Sequence, residues 1–180
     1  MTLRLFIPCL LAALILASPA FAATRYVTLS NGTGFFVTKD GYIVTNAHVV
    51  RQCTSLVRAT GQVTADADII ARDDTTDLAI LKARAYAPAF ARLRYDSNSV
   101  AAKEPAVVMG YPGAAGASGQ ISFVKSHIIA PVGPGGEAHW VQFENAAQKG
   151  NSGGPLLDMS GNVMGVITGK TQTYRVARTN

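Results

Sequence analysis

After Arg25 no stretch of this chain sustains the 3.6-residue period of an amphipathic helix. Short runs of Val, Ile, Thr, Phe and Tyr recur instead, each bounded by Gly, Pro, Asn or Asp, and that rhythm restricts the chain to an all-β barrel or sandwich. "GFFVT" and "YIVT" flank Lys39-Asp40-Gly41. Asp-Gly between two such runs is a hairpin signal, since the glycine accepts the backbone geometry a tight reversal needs. Further strand candidates are "SLVRAT", "QVTADADIIA", "LAILKA", "AVVMG", "ISFVKSHIIA", "HWVQFE" and "NVMGVITG". One short helix is predicted, with Asn46 capping "AHVVR". The alternation lapses between Tyr86 and Asn98, which divides an N-terminal group of strands (23–95) from a C-terminal group (96–180). "YPGAAGASG" and "PVGPGG" are too rich in Gly and Pro for strands and read as surface loops bordering a site.

The N-terminus has a separate logic. Arg4, the apolar run "LLAALILA", Ser18-Pro19 and Ala20-Phe21-Ala22 form the tripartite pattern of a secretory signal, so residues 1–22 are expected to be cleaved. The apolar run is well short of the roughly 20 residues that cross a bilayer, and after cleavage no membrane association is expected. Loss of Arg4 lowers the formal charge of the 180-residue chain from +5 to +4. The charges are scattered, with no basic run and no interleaved aromatics, which argues against a nucleic-acid partner. Of two cysteines, Cys9 leaves with the signal and Cys53 remains without a disulfide partner, as a small buried apolar residue. No group of His, Cys and carboxylates has metal-ligand spacing, and no cofactor is expected.

In "KGNSGGP", three glycines surround Ser152. Glycines let a backbone turn its N–H groups toward a ligand, yet turns collect Gly, Asn, Ser and Pro for local reasons, so this segment alone decides nothing. A serine nucleophile needs a base. Of the three histidines, His127 and His139 lie in strand-like runs, whereas His48 follows the strand "YIVT", where a side chain can leave the sheet and overhang a cleft. A carboxylate must then fix the imidazole tautomer. Asp77, opening "DLAIL", suits that role better than Asp73 and Asp74, which the polar "RDDTT" puts in a solvated turn. Gly150-Asn151-Ser152-Gly153-Gly154 satisfies G-x-S-x-G, but an α/β-hydrolase needs its histidine after the serine, and no histidine follows Ser152. The order His48, Asp77, Ser152 is that of chymotrypsin-like peptidases.

"GTGFFVTKDGYIVTNAHVV", "DLAIL" and "GNSGGPLLD…GNVMGVITG" together resemble a trypsin-like serine peptidase of the bacterial HtrA/Deg-like kind, from about Gly32 to Gly169. The resemblance implies two six-stranded β-barrels with the site between them, and an exported endopeptidase, periplasmic or extracellular, that acts on polypeptides. It implies Ser152 as nucleophile, His48 as base, Asp77 as its orienting carboxylate, and the N–H groups of Gly150 and Ser152 as the oxyanion hole. Asn151 stands where relatives activated by proteolysis carry an aspartate, so no zymogen switch of that type is expected. Ala146 and Ala147 fall at the base of the substrate side-chain pocket, which favours a small to medium aliphatic residue before the cut. Val166, Ile167, Thr168 and Gly169 fall on the strand that pairs with the substrate backbone. Relatives continue further. Here either "TYRVAR" closes the second barrel or that barrel keeps an open edge, available to an oligomer or a partner chain. An open edge motivates an alternative reading, a catalytically inactive peptidase-like module that binds peptides.

Overall fold

The computed structural model describes residues 32–53, 56–59, 65–96, 100–113, 120–144, 148–168 and 174–177. Residues 1–22, with the expected signal, lie outside the described residues, as do Ala146, Ala147 and Gly169. Among the described residues eleven strands form two sheets. β1 (Phe35–Phe36), β2 (Tyr42–Thr45), β3 (Leu56–Ala59), β4 (Ala65–Asp73) and β5 (Leu78–Ala83) make a five-stranded sheet in the order β1-β2-β5-β4-β3. The remaining six strands close into a barrel: β6 (Pro105–Gly110), β7 (Ser122–Ala130), β8 (Trp140–Phe143), β9 (Pro155–Leu157), β10 (Val163–Thr168) and β11 (Tyr174–Ala177).

The anticipated hairpin forms, with Phe35 opposite Val44 and Phe36 opposite Ile43. Its chain reversal is closed by hydrogen bonds from the Val37 N–H to the Tyr42 carbonyl and from the Gly41 N–H to the Thr38 carbonyl. Alternation does the rest. In β5 the inward residues Ala79, Leu81 and Ala83 join Ile43, Val50 and Ala67 in the core of the first sheet. The barrel packs larger side chains, among them Ile128, Val141, Phe143, Leu156, Met164 and Ile167, each at most 1% exposed. Full burial of such a side chain stabilises by roughly 1.5–3 kcal/mol. A third cluster, Phe35 with Val163 and Val166, joins the two sheets.

Two expectations change, and one pair of alternatives is decided. The open edge in the second barrel is absent, because β11 pairs with β8 through Tyr174 to Ala177 and with β10 through Arg175 to Ala177. Within "TYRVAR", Tyr174–Ala177 is the closing strand. The helix after Asn46 is absent too: residues 47–52 form successive turns, with Val50 N–H bonded to the Ala47 carbonyl and Cys53 N–H to the Val50 carbonyl. Asn46 does not cap, since its Nδ2 donates to the Asp77 carbonyl at 2.9 Å. Cys53 is half-buried rather than enclosed.

The joint between the two sheets is a strap. Ala91 N–H bonds the Phe36 carbonyl of the first sheet, while Leu93 bridges Val163 of the second and Arg94 N–H bonds the Val163 carbonyl. Turns from both sheets are thereby brought to one seam.

Candidate active site

Asp77 organises the first half of the seam. It lies in the turn before β5 rather than in the strand, at φ 57°, a left-handed conformation that aspartate tolerates better than most residues. That backbone turns its carbonyl toward residues 46–48, where it accepts from Ala47 N–H at 3.0 Å as well as from Asn46 Nδ2. The Asp77 carboxylate accepts from the His48 N–H at 2.9 Å through Oδ1 and bonds His48 Nδ1 at 2.7 Å through Oδ2. The Asp77 turn thus satisfies the Ala47 and His48 amides, and the segment continues in i→i−3 turns, with Val50 N–H on the Ala47 carbonyl.

Thr168, at the end of β10 in the barrel, donates its hydroxyl to Asp77 Oδ2 at 2.5 Å. Burial works to raise the Asp77 pKa; hydrogen bonds from the His48 ring, the Thr168 hydroxyl and the His48 N–H outweigh it and hold the group below its ordinary value. An ionised carboxylate at Nδ1 keeps a neutral imidazole protonated there and leaves Nε2 free to accept a proton. His48 keeps 36% of its side-chain surface exposed, enough for a substrate to reach it.

The Ser152 loop faces this turn. A Cβ placed on Gly32 would touch both the Val49 side chain and the Ser152 carbonyl oxygen, and one on Gly153 would meet the Asn46 N at 3.1 Å. Ser152 is partly exposed between the buried Asn151 and Gly153. Residues 148–151 form a turn closed by the Asn151 N–H on the Gln148 carbonyl, with Gly150 at φ 100° in the third position, the type II geometry that favours glycine. A side chain at Gly150 would collide with the Tyr111 carbonyl oxygen.

Four consecutive carbonyls in this loop are each tied down. Lys149 O accepts from Gly113 N–H (2.6 Å), Gly150 O from the Thr33 hydroxyl (2.6 Å), Asn151 O from Gly154 N–H (2.8 Å) and Ser152 O from Thr33 N–H (2.7 Å). In a trans peptide the N–H points opposite the C=O, so fixing the carbonyls fixes the amides. Asn151 N–H is consumed by Gln148 and Gly153 N–H by Ile167. The N–H groups of Gly150 and Ser152 have no acceptor among the described residues.

Other anticipated residues fall elsewhere. Val166 and Ile167 are built into the barrel wall, 0% and 1% exposed, and the Ile167 N–H is spent on the Gly154 carbonyl. A strand closed on both sides has no edge there to offer a substrate. Thr168 turns its hydroxyl to Asp77 instead. Asn151 is buried with its side-chain oxygen unpartnered, a position where a carboxylate would be an uncompensated charge. Asp74 lies in the anticipated solvated turn, whereas Asp73 ends β4 opposite Leu78, its exposed carboxylate accepting from Thr75 N–H and the Thr76 hydroxyl. His127 pairs with Glu144 on the outer face of β7, and His139 lies against Trp140. Sequence reading missed Thr33; the signal available was its place between Gly32 and Gly34, the same glycine bracketing that marks Ser152.

A family model described as trypsin-like peptidase domain matches residues 32–166. An uncharacterized protein, y4bJ, of Sinorhizobium fredii is 39% identical over 155 residues, 86% of this chain and 24% of that protein. A probable periplasmic serine endoprotease, DegP-like, of Brucella suis is 36% identical over 146 residues, 78% of this chain and 28% of that one. The chain thus spans about a quarter of the length of these curated relatives. Among solved structures, the Rv3671c protease of M. tuberculosis in its active form superposes with a TM-score of 0.66 at 27% identity, covering 82% of this chain and 68% of that one. On the strength of the matched residues, this chain belongs to the trypsin-like peptidase domain family.

Proposed function

We propose that the chain is an exported serine endopeptidase, with Ser152 as nucleophile, His48 as general base and Asp77 as the carboxylate that orients His48. The observation that carries this reading is the His48–Asp77 pair, doubly bonded through ring and backbone, set against a serine loop with two unpartnered amides. Ser152 Oγ attacks the scissile carbonyl while His48 Nε2 takes its proton. Asp77 stabilises the resulting imidazolium, and the Gly150 and Ser152 N–H groups receive the oxyanion. The acyl-enzyme is then hydrolysed by water, activated by the same histidine. The relatives named as periplasmic endoproteases and the signal-like residues 1–22 support export to the periplasm or beyond.

Ala146 and Ala147 support a preference for small to medium aliphatic residues before the cut. The substrate strand belongs past the barrel wall, from Thr168 onward, since Val166 and Ile167 are enclosed. The binding-only reading drew on an open barrel edge, which β11 occupies.

The test is labelling with a fluorophosphonate probe together with hydrolysis of a peptide library. Wild-type protein should label and cut after Val, Ala or Ile; Ser152→Ala should abolish labelling and lower turnover by roughly 10⁶-fold. Undiminished hydrolysis by Ser152→Ala would remove the serine from the mechanism. Cutting mainly after Lys or Arg would remove the pocket assignment alone.

A further inference from the structure

Thr33 makes no contact that the chemistry above requires, yet it is bonded through every polar atom it has. It is 3% exposed, next to β1 of the first sheet. Its N–H donates to Ser152 O (2.7 Å), its hydroxyl donates to Gly150 O (2.6 Å) and accepts from Tyr111 N–H (3.0 Å), and its carbonyl accepts from the buried Thr45 hydroxyl (2.6 Å). The first three partners belong to the other half of the molecule.

We propose that Thr33 is the positioning residue of the oxyanion site: its hydroxyl and N–H hold the Gly150 and Ser152 carbonyls, pinning the 150–151 and 152–153 peptides on either side of the 151–152 peptide that carries the Ser152 N–H. This rests on the hydrolase reading above. The physical step is short. Gly150 sits at φ 100°, and a glycine can pivot with little steric resistance, so the 150–151 peptide needs an outside hold. The only donor to the Gly150 carbonyl among the described residues is the Thr33 hydroxyl. The same oxygen accepts from Tyr111 N–H, and two residues on Gly113 N–H holds the Lys149 carbonyl, so the hydroxyl registers the 111–113 segment against the serine loop. A pivoted 150–151 peptide would release one of the two anchors of the adjoining 151–152 peptide and let the Ser152 N–H swing by an ångström or so, which is enough to cost on the order of 100-fold in rate. Thr45 fixes Thr33 in turn. Both sit on the hairpin that carries the chain into the His48 turn, so one hairpin aligns base and oxyanion donors together.

The test compares Thr33→Val, Thr33→Ser and Thr33→Ala in the full chain, with folding followed by circular dichroism. Valine keeps the shape and removes the hydroxyl. It should lower kcat on a fluorogenic peptide cut after Val by about 10- to 100-fold with KM changed less than about threefold. Fluorophosphonate labelling and the affinity for a peptidyl boronate, which mimics the tetrahedral intermediate, should fall in parallel. Thr33→Ser should recover most of the loss. Should Thr33→Val fail to fold, the serine-to-alanine ratio of kcat reads the hydroxyl directly, since both lack the methyl group. A folded Thr33→Val with wild-type kcat, or equal rates for Thr33→Ser and Thr33→Ala, overturns the proposal. A wild type that never labels overturns this inference and the hydrolase reading together; labelling that survives in Thr33→Val but not in Ser152→Ala overturns this one alone.

Discussion

The two sheets solve the same packing problem with different side chains. The first fills its interior with Ala67, Ala79 and Ala83 around Ile43, Val50 and Leu81, and among the described residues it is an open five-stranded sheet. The second closes completely around Phe143, Ile128, Leu156 and Met164. The chemistry divides along the same line. The first sheet presents the imidazole and the carboxylate, held chiefly by hydrogen bonds between the 46–48 and 74–77 turns, whereas the closed barrel presents the serine loop. Each half also lends the other one threonine: Thr33 reaches from the first sheet to the serine loop, and Thr168 from the barrel to Asp77. Precision at the seam comes from this exchange, not from the stability of either core alone.

The largest test of that division is Asp77→Asn. The amide that replaces Oδ2 can present N–H to the imidazole and select the wrong tautomer, so kcat should fall by roughly 10⁴-fold, with the fold retained. A loss below tenfold would mean that the turn around residues 46–48 orients His48 without the Asp77 carboxylate, and that the first half does not depend on that hydrogen bond.

The same substitution made in both cores tests the packing contrast. Leu156 is 0% exposed inside the closed barrel and Leu81 is 4% exposed beneath alanines. Leucine-to-alanine changes in cores cost about 2–5 kcal/mol, more where the surroundings cannot collapse onto the cavity. Leu156→Ala should fall near the upper end and Leu81→Ala near the lower, measured by urea unfolding. Equal losses would show that the open sheet is as unyielding as the barrel.

Most strands were legible from alternation, and "YIVT" and "LAILKA" match β2 and β5 residue for residue. Errors gathered at the seam. Asn46 looked like a helix cap because capping is a local property, but its amide went to a carbonyl 31 residues away. β9 was missed: three residues beginning with Pro155 show no period, and the strand exists because the barrel wall on both sides, β6 and β10, recruits it. Val166 and Ile167 were put at the substrate because resemblance places a motif without saying which residues of a strand the barrel encloses. His48, Asp77 and Ser152 could be proposed from chemistry and order. Thr33 carries only the weak signal of its flanking glycines, since a threonine there has no chemistry of its own until its partners are known.

Thr168→Val should have the smallest effect and is the most specific probe of the exchange between halves. Hydrogen bonds to charged groups contribute about 1.5–3 kcal/mol, but Asp77 retains both His48 bonds, so turnover should fall only about tenfold. The pH response carries more information. A carboxylate whose pKa is depressed on folding contributes stability that is present above its unfolded pKa, near 3.9, and is lost as the pH falls through the folded value. Asp77 is such a group, and Thr168 is one of the causes. Removing that hydroxyl moves the folded pKa up toward its ordinary value, so the acid unfolding of Thr168→Val should begin at higher pH than that of the wild type. At neutral pH the two should differ by a constant amount. An unchanged acid limb in Thr168→Val would mean that the barrel lends Asp77 nothing and that the first half holds its carboxylate unaided.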